Sequence, residues 1–212
     1  MKFFPKITFD EVVYWATLVF VAGSVGYLLL AIINSSTLEL LTTDSNESYI
    51  RKQSRFVVLE TSSGAIRVQL LRAQAPTTVN NFVALAQSGF YDGTKFHRIV
   101  KGLLIQGGDP LSRESDVELY GTGGPGYVFD DEIRDIKMER GVVAMANLGR
   151  PKTNGSQFFI LVEDAPSSME GKYTIFGRVA EGMLAVDNIS NVPVGKKDVP
   201  LTPVVLKSVR IE

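Results

Sequence analysis

The chain has 212 residues and a formal net charge of −1, with no cysteine and a single histidine. No cysteine means no disulfide, no thiol nucleophile and no thiolate-held metal; one histidine excludes a multi-histidine metal centre, and the near-neutral balance carries no electrostatic footprint for nucleic acid. A chain of this length accommodates one domain with a proper core plus an extension.

The extension comes first. After a short N-terminal segment, residues 1–11, the run VVYWATLVFVAGSVGYLLLAII from Val12 to Ile33 contains no charged residue. As a helix it reaches about 33 Å, enough to cross a bilayer core, and Tyr14 and Trp15 sit near one end, where an interfacial aromatic belt belongs. A cleaved signal peptide is the rival reading. It calls for a shorter apolar core and a small-residue cleavage site, and AIINSSTLEL offers no clear one. A single-pass transmembrane helix over 12–33 is therefore expected. Lys2 and Lys6 precede it, while Glu39, Asp44 and Glu47 follow before Arg51 and Lys52. That asymmetry favours a cytoplasmic N-terminus and an extracytoplasmic domain, and the lack of cysteine is consistent with such a compartment. Residues 34–54 are polar and turn-rich and read as a tether. Its two glycosylation-type triplets, at Asn34 and Asn46, are of a kind common by chance.

From Arg55 onward the pattern is one of short strands with two helices. RFVVLET and AIRVQLL flank Ser62-Ser63-Gly64; in the second run Ile66, Val68 and Leu70 alternate with Arg67 and Gln69, which predicts a half-buried hairpin. The period then changes. Val79, Phe82, Val83 and Ala86 follow helical spacing, with Pro76 suited to the first turn and Gly89 to the stop. EGMLAVDNIS predicts a second helix, with Met183, Val186 and Ile189 on one side. KFHRIV, LLIQG, YVFDDEI, GVVAMAN, QFFILV, YTIFGRV and VVLKSVRI read as further strands. Many short strands punctuated by glycine, without βαβ alternation, argue for a closed barrel or a sandwich.

GTGGPG, Gly121 to Gly126, formally fits a dinucleotide-loop pattern, but Pro125 interrupts it and strand-like residues follow where a helix should open, so a tight glycine-rich loop is the better reading. G-x-S-x-G, H-E-x-x-H and Walker patterns are absent. A serine triad would have to use His97, and Arg98 beside it adds nothing to that chemistry; a hydrogen-bonded structural histidine is the alternative. Arg98 shares strand parity with Leu104 and Gln106 if Gly102 introduces no bulge, and Gln157 and Phe159 are likewise two apart. The bland readings are a salt-bridged barrel arginine and a core phenylalanine. The functional one is a surface with a guanidinium, side-chain amides and an apolar patch. Such a surface can bind a peptide and act on a bond whose barrier is conformational. The X-Pro bond has a rotation barrier of about 18–20 kcal/mol set by amide resonance. A donor aimed at the prolyl nitrogen weakens that resonance, and each 1.36 kcal/mol of differential stabilisation is tenfold in rate. Arginine suits the task because its charge and fork geometry are fixed.

FHRIVKGLLIQGGDP, GTGGPGYVFDDE, VVAMANLGRPKTNGSQFFI and GKYTIFGRVAEGM together resemble the cyclophilin-type peptidyl-prolyl isomerases, in the family's order and across essentially all of 55–212. The resemblance implies a mainly β fold, a closed eight-stranded antiparallel barrel capped by two helices, with the groove on its outer surface and no cofactor or metal. It implies Arg98 as the catalytic arginine. Gln106 and Gln157 match the groove glutamines, Ala146 and Asn147 the positions that hold substrate backbone, and Phe159 an aromatic wall of the proline pocket. Leu103, Leu104, Met169 and Tyr173 fall on substrate-binding positions but depart from the common residues, which are phenylalanine, methionine, leucine and histidine. Lys101 replaces a proline, and LGRPKTNGS carries one inserted residue beside the groove. Ser168 stands where well-known eukaryotic members carry tryptophan, which implies weak cyclosporin binding.

The expected partners are proline-containing peptides and unfolded or exported proteins, engaged by a monomer tethered to a membrane, with no nucleic acid. The wording of the motifs suggests a bacterial source, with the domain on the periplasmic or cell-surface side; a eukaryotic secretory or plastid compartment is the alternative. A proline-peptide-binding module with little catalysis, and a scaffold recruited through the anchor, remain competing functions.

Overall fold

The computed structural model of the protein describes residues 55–212. The expected N-terminal segment, transmembrane helix and tether lie outside the described residues. Among those described, no helix is long and apolar enough to cross a membrane.

Nine strand segments form one antiparallel sheet: β1 (Phe56–Thr61), β2 (Gly64–Leu70), β3 (Thr94–Lys95), β4 (Arg98–Val100), β5 (Leu104–Gly107), β6 (Val142–Met145), β7 (Phe158–Leu161), β8 (Ile175–Glu181) and β9 (Val205–Ile211). Their order across the sheet is β3-β9-β1-β2-β8-β6-β7-β5-β4. Among the described residues the two α-helices are α1 (Pro76–Gln87) and α2 (Met183–Ser190), at the expected places.

Two strand expectations need correction. KFHRIV is not one strand, because its halves serve different neighbours: β3 pairs with β9 and β4 with β5. The expected eight-stranded closed barrel is therefore a curled nine-segment sheet. Among the described residues no ladder joins its end strands, and the chain itself crosses the seam at Phe96 and His97. YVFDDEI forms no strand and makes a single bridge, Phe129 to Asn154. Its polar atoms act as clasps instead. Asp131 accepts from the Lys152 amide and the Asn154 side chain, and the Glu132 amide donates to Thr174.

Glu132 also repairs a local defect. Helix α1 begins after Ala75, which offers no side-chain cap. The Glu132 carboxylate accepts from the Thr77 amide (3.0 Å), the Thr78 amide (2.8 Å) and the Thr78 hydroxyl (2.8 Å), supplying from a distant loop what the local sequence lacks. Burial raises its pKa, but the bonds from Thr78 and Thr77 outweigh that and hold it below the usual value. Its stabilising contribution is thus present above the ordinary glutamate pKa and lost as pH falls through the folded one. Glu132→Ala is expected to lower the unfolding free energy by about 1 kcal/mol, read as an earlier urea midpoint with an unchanged m-value.

Strand alternation divides the apolar residues into two sets. Val143, Met145, Phe158 and Ile160 join the main core, with Phe82 and Val83 of α1 and Val186 and Ile189 of α2. Val142, Ala144, Phe159 and Leu161 point the other way, into a second cluster with Leu104, Met138 and Ile175. Strands buried on both faces read as continuous apolar runs, which is how VVAM and FFIL appear in the sequence. The second cluster floors the functional surface.

Candidate active site

Arg98 and Gln106 are brought together by a hairpin rather than by one extended strand. β4 and β5 pair so that Arg98 faces Gln106 and Val100 faces Leu104, with the turn at Lys101–Leu103 and Gly102 at φ +71°. The turn lets the parity relation survive a reversal of the chain. Gln106 in turn lies opposite Phe159 of β7, and Phe159 opposite Ala144 of β6.

A cavity of about 420 Å³ opens on this surface, lined by Arg98, Leu104, Gln106, Ala146, Asn147, Phe159, Met169 and Tyr173 among others. Phe159 and Tyr173 meet edge to face with ring centroids 5.2 Å apart. A larger groove of about 710 Å³ adjoins it. Gln106, Gly121, Ala146 and Asn147 are common to both, and Gln157 and the loop Gly121–Val128 complete the groove. Leu103 is the exception among the expected site residues. It lies in the hairpin turn and packs against the second apolar cluster without lining the cavity, where its neighbour Leu104 forms part of the wall.

A polar relay runs through the site. Gln157 Nε2 donates to the carbonyls of Gly121 (3.0 Å) and Gly123 (2.8 Å). Gln106 Nε2 donates to Gln157 Oε1 (3.0 Å), and Arg98 Nη1 donates to Gln106 Oε1 (3.4 Å). Each amide thus uses its donor side on one neighbour and its acceptor side on the next, which fixes both rotamers and presents an oxygen to the guanidinium. Asn147 is spent differently: its Nδ2 donates to the Lys172 carbonyl and its Oδ1 accepts from the Gly149 amide, both at 3.0 Å. That braces the loop, and the Ala146 amide is likewise spent, donating to the Gln157 carbonyl (2.9 Å).

Sequence reasoning missed Asp198. Its carboxylate lies 3.4 Å from Arg98 Nε, with the two side chains 46% and 44% exposed. Asp198 and Lys197 have φ of +61° and +57°, a left-handed pair that non-glycine residues rarely adopt. Lys197 reaches Glu118 at 2.7 Å and ties this loop to the turn at Val117–Leu119. In the sequence, GKKDVP is simply a polar loop, and nothing in it signals the partnership.

His97 is buried, with 3% exposure, but it is not the hydrogen-bonded residue expected. Neither ring nitrogen has a partner in hydrogen-bonding geometry among the described residues. Burial is the largest influence on its pKa and lowers it, as does Arg98; Asp109, the Lys95 carbonyl and Gln157 pull the other way, and the net lies below the ordinary histidine value. The unfolded chain therefore binds more protons than the folded one just below pH 6.5. Stability from this residue is present above that pH and is lost as pH falls through the folded pKa. Since the chain has one histidine, NMR reads the ring without overlap. The ring is expected to titrate with a midpoint below 6.5, and a midpoint at or above 6.5 would overturn the assignment.

The family model of the cyclophilin type peptidyl-prolyl cis-trans isomerase/CLD matches residues 56–211. The peptidyl-prolyl cis-trans isomerase-like 1 of mouse is 46% identical over 154 residues, covering 70% of this chain and 87% of that protein. Its namesake in Neurospora crassa is 43% identical over 160 residues, covering 73% and 93%. A crystal structure of a Cryptosporidium parvum cyclophilin-type isomerase, determined in the presence of the dipeptide Ala-Pro, superposes with a TM-score of 0.67 at 36% identity, covering 74% of this chain and 98% of that one. These relatives are eukaryotic and lend no support to the expected bacterial source. The match spans nearly the whole described domain and carries the motifs that build the cavity, and on that ground the chain belongs to the cyclophilin-type peptidyl-prolyl cis-trans isomerase family.

Proposed function

We propose that the domain accelerates X-Pro rotation in peptides and unfolded proteins by electrostatic action of Arg98 on the prolyl amide. The observation that carries this reading is the guanidinium braced on two sides at the rim of an apolar cavity. Gln106 engages Nη1 and Asp198 faces Nε, which leaves the Nη2 edge of the fork for a substrate. Leu104, Phe159, Met169 and Tyr173 form apolar walls suited to a proline ring. With the ring held there, a donor at the prolyl nitrogen favours its pyramidal form. Lone-pair delocalisation into the carbonyl falls, and with it the barrier to rotation. No bond is made or broken, so the reaction needs no nucleophile, cofactor or metal. Ser168, in the turn Ser167–Met169, adds no aromatic surface, and weak cyclosporin binding is part of the reading.

The test is proline isomerisation of a short peptide by the wild-type protein and by Arg98→Ala. If both match the uncatalysed rate, catalysis is rejected and the proline-peptide-binding module takes its place.

The uncharged run at 12–33 supports a further part of the reading: a single-pass anchor with a monomeric isomerase domain on the extracytoplasmic side, acting on exported proteins. Fractionation combined with protease protection of intact cells decides it. A soluble chain, or a domain protected from added protease, sinks that part and leaves the isomerase reading untouched.

A further inference from the structure

We propose that a second apolar cavity beside the catalytic one receives an apolar side chain of the substrate, flanking the proline on the Val117–Val199 side of the site. The proposal rests on the isomerase reading and extends it to sequence preference.

The cavity measures about 290 Å³ and has Phe96 as a buried floor, with Tyr120, Pro200, Leu201 and Pro203 around it. It shares His97, Val117, Tyr120 and Val199 with the catalytic cavity, so a peptide leaving one passes directly over the other. Its volume is at the lower edge of the usual range for ligand pockets, about 300–1,000 Å³, a fit for one side chain rather than a whole ligand. Leu201 and Val117 stand at its rim, 69% and 45% exposed. Two large apolar groups at the mouth of an apolar hole mark a surface that gains by being covered.

The wall chemistry selects against charge. Lys95 lines the cavity, but its Nζ donates to the Tyr120 hydroxyl (2.8 Å) and the Glu114 carbonyl (3.1 Å) and sits 5.2 Å from the Tyr120 ring centroid. Two of its three donors are engaged there, so an acidic side chain competes with bonds already made. The walls are also preformed. The Glu118 amide donates to Asp116 in the turn at Val117–Leu119, the Leu201 amide donates to the Pro193 carbonyl (2.9 Å), and the Lys197–Glu118 pair joins the two pieces. A site already in shape loses little affinity to ordering.

The experiment uses alanine-based prolyl peptides in which one leucine is moved through three positions on each side of the proline. Affinity for the full-length protein is read by NMR titration, following the methyl signals of Val117 and Leu201. One position on one side is expected to bind about tenfold tighter than the all-alanine peptide, the scale of partly burying one leucine side chain, and to shift both methyls most. Leu201→Asp, at an exposed position that lines this cavity and not the catalytic one, is expected to abolish that gain while leaving the all-alanine peptide's affinity and rate within twofold. Equal affinities at every position, or a gain that survives Leu201→Asp, overturn the proposal. Binding reads the cavity whether or not turnover occurs, so failure of the isomerase reading appears separately, in the rate on the all-alanine peptide.

Discussion

Arg98→Ala is expected to lower kcat/KM on a short prolyl peptide by about 10²–10³, the cost of removing one preorganised donor aimed at charge that develops in the transition state. The half-exposed side chain points to the lower part of that range, because solvent screens a donor at a rim more than one in a closed site. The loss should fall mainly in kcat. The walls proposed to hold the ring are Leu104, Phe159, Met169 and Tyr173, which line the cavity independently of Arg98. Stability should change little, since an exposed ion pair such as Arg98–Asp198 is worth at most about 1 kcal/mol. Arg98→Lys separates charge from geometry. It keeps the charge but loses the fork that meets Gln106 and Asp198 together, so it is expected to recover only part of the rate. Single-turnover isomerisation, followed by NMR exchange on one peptide, measures all three proteins. A rate for Arg98→Ala within threefold of wild type would reject the electrostatic mechanism.

The largest stability effect is expected at Phe82. Its ring is buried and lies 4.9 Å from Tyr91, 5.0 Å from Phe176 and 5.5 Å from Phe158, centroid to centroid. It is the point at which α1 is pressed into the sheet. Phe82→Ala is expected to cost about 3–5 kcal/mol, as large-to-small changes in packed cores do. Against a total of about 5–15 kcal/mol for a typical domain, that removes a large part of the margin. Equilibrium urea unfolding reads it as a midpoint shift. KM on a prolyl peptide should stay near wild type wherever the variant remains folded, because Phe82 packs on the inward-facing Phe158 and not on Phe159. A cost below about 1 kcal/mol would mean that the aromatic cluster rearranges to fill the space.

The helices were legible because their signals are local: Pro76 opens α1, Gly89 follows its end, and the apolar spacing between them is helical. Arg98, Leu104 and Gln106 were legible as one set because strand parity is local, and so was the pair Gln157 and Phe159; only the resemblance to the family's motifs joined the two. What escaped depends on partners. KFHRIV has the composition of one strand, and only the placement of β5 and β9 shows that it serves two. YVFDDEI has strand-like residues at its start, yet its carboxylates are claimed by α1 and by the Lys152–Asn154 loop, which no window along the chain reveals. Asp198 reaches Arg98 across 100 residues through a left-handed pair of non-glycine residues, a conformation the residue types there do not announce. The burial of His97 was foreseeable from its apolar neighbours, but the lack of a bond to either nitrogen was not.

The two-sided burial of β5, β6 and β7 has a consequence for how this domain can change over time. Phe158 and Ile160 hold the interior, while Phe159 and Leu161, one step along the same strand, belong to the outer cluster. Neighbouring codons therefore answer to different selective pressures. Substitutions at 104 and 159, which line the cavity, can alter the peptides accepted, while 105, 143, 145, 158 and 160 keep the architecture. A combinatorial library confined to the first set should yield a high proportion of folded proteins with altered sequence preference, and one confined to the second should yield mostly losses.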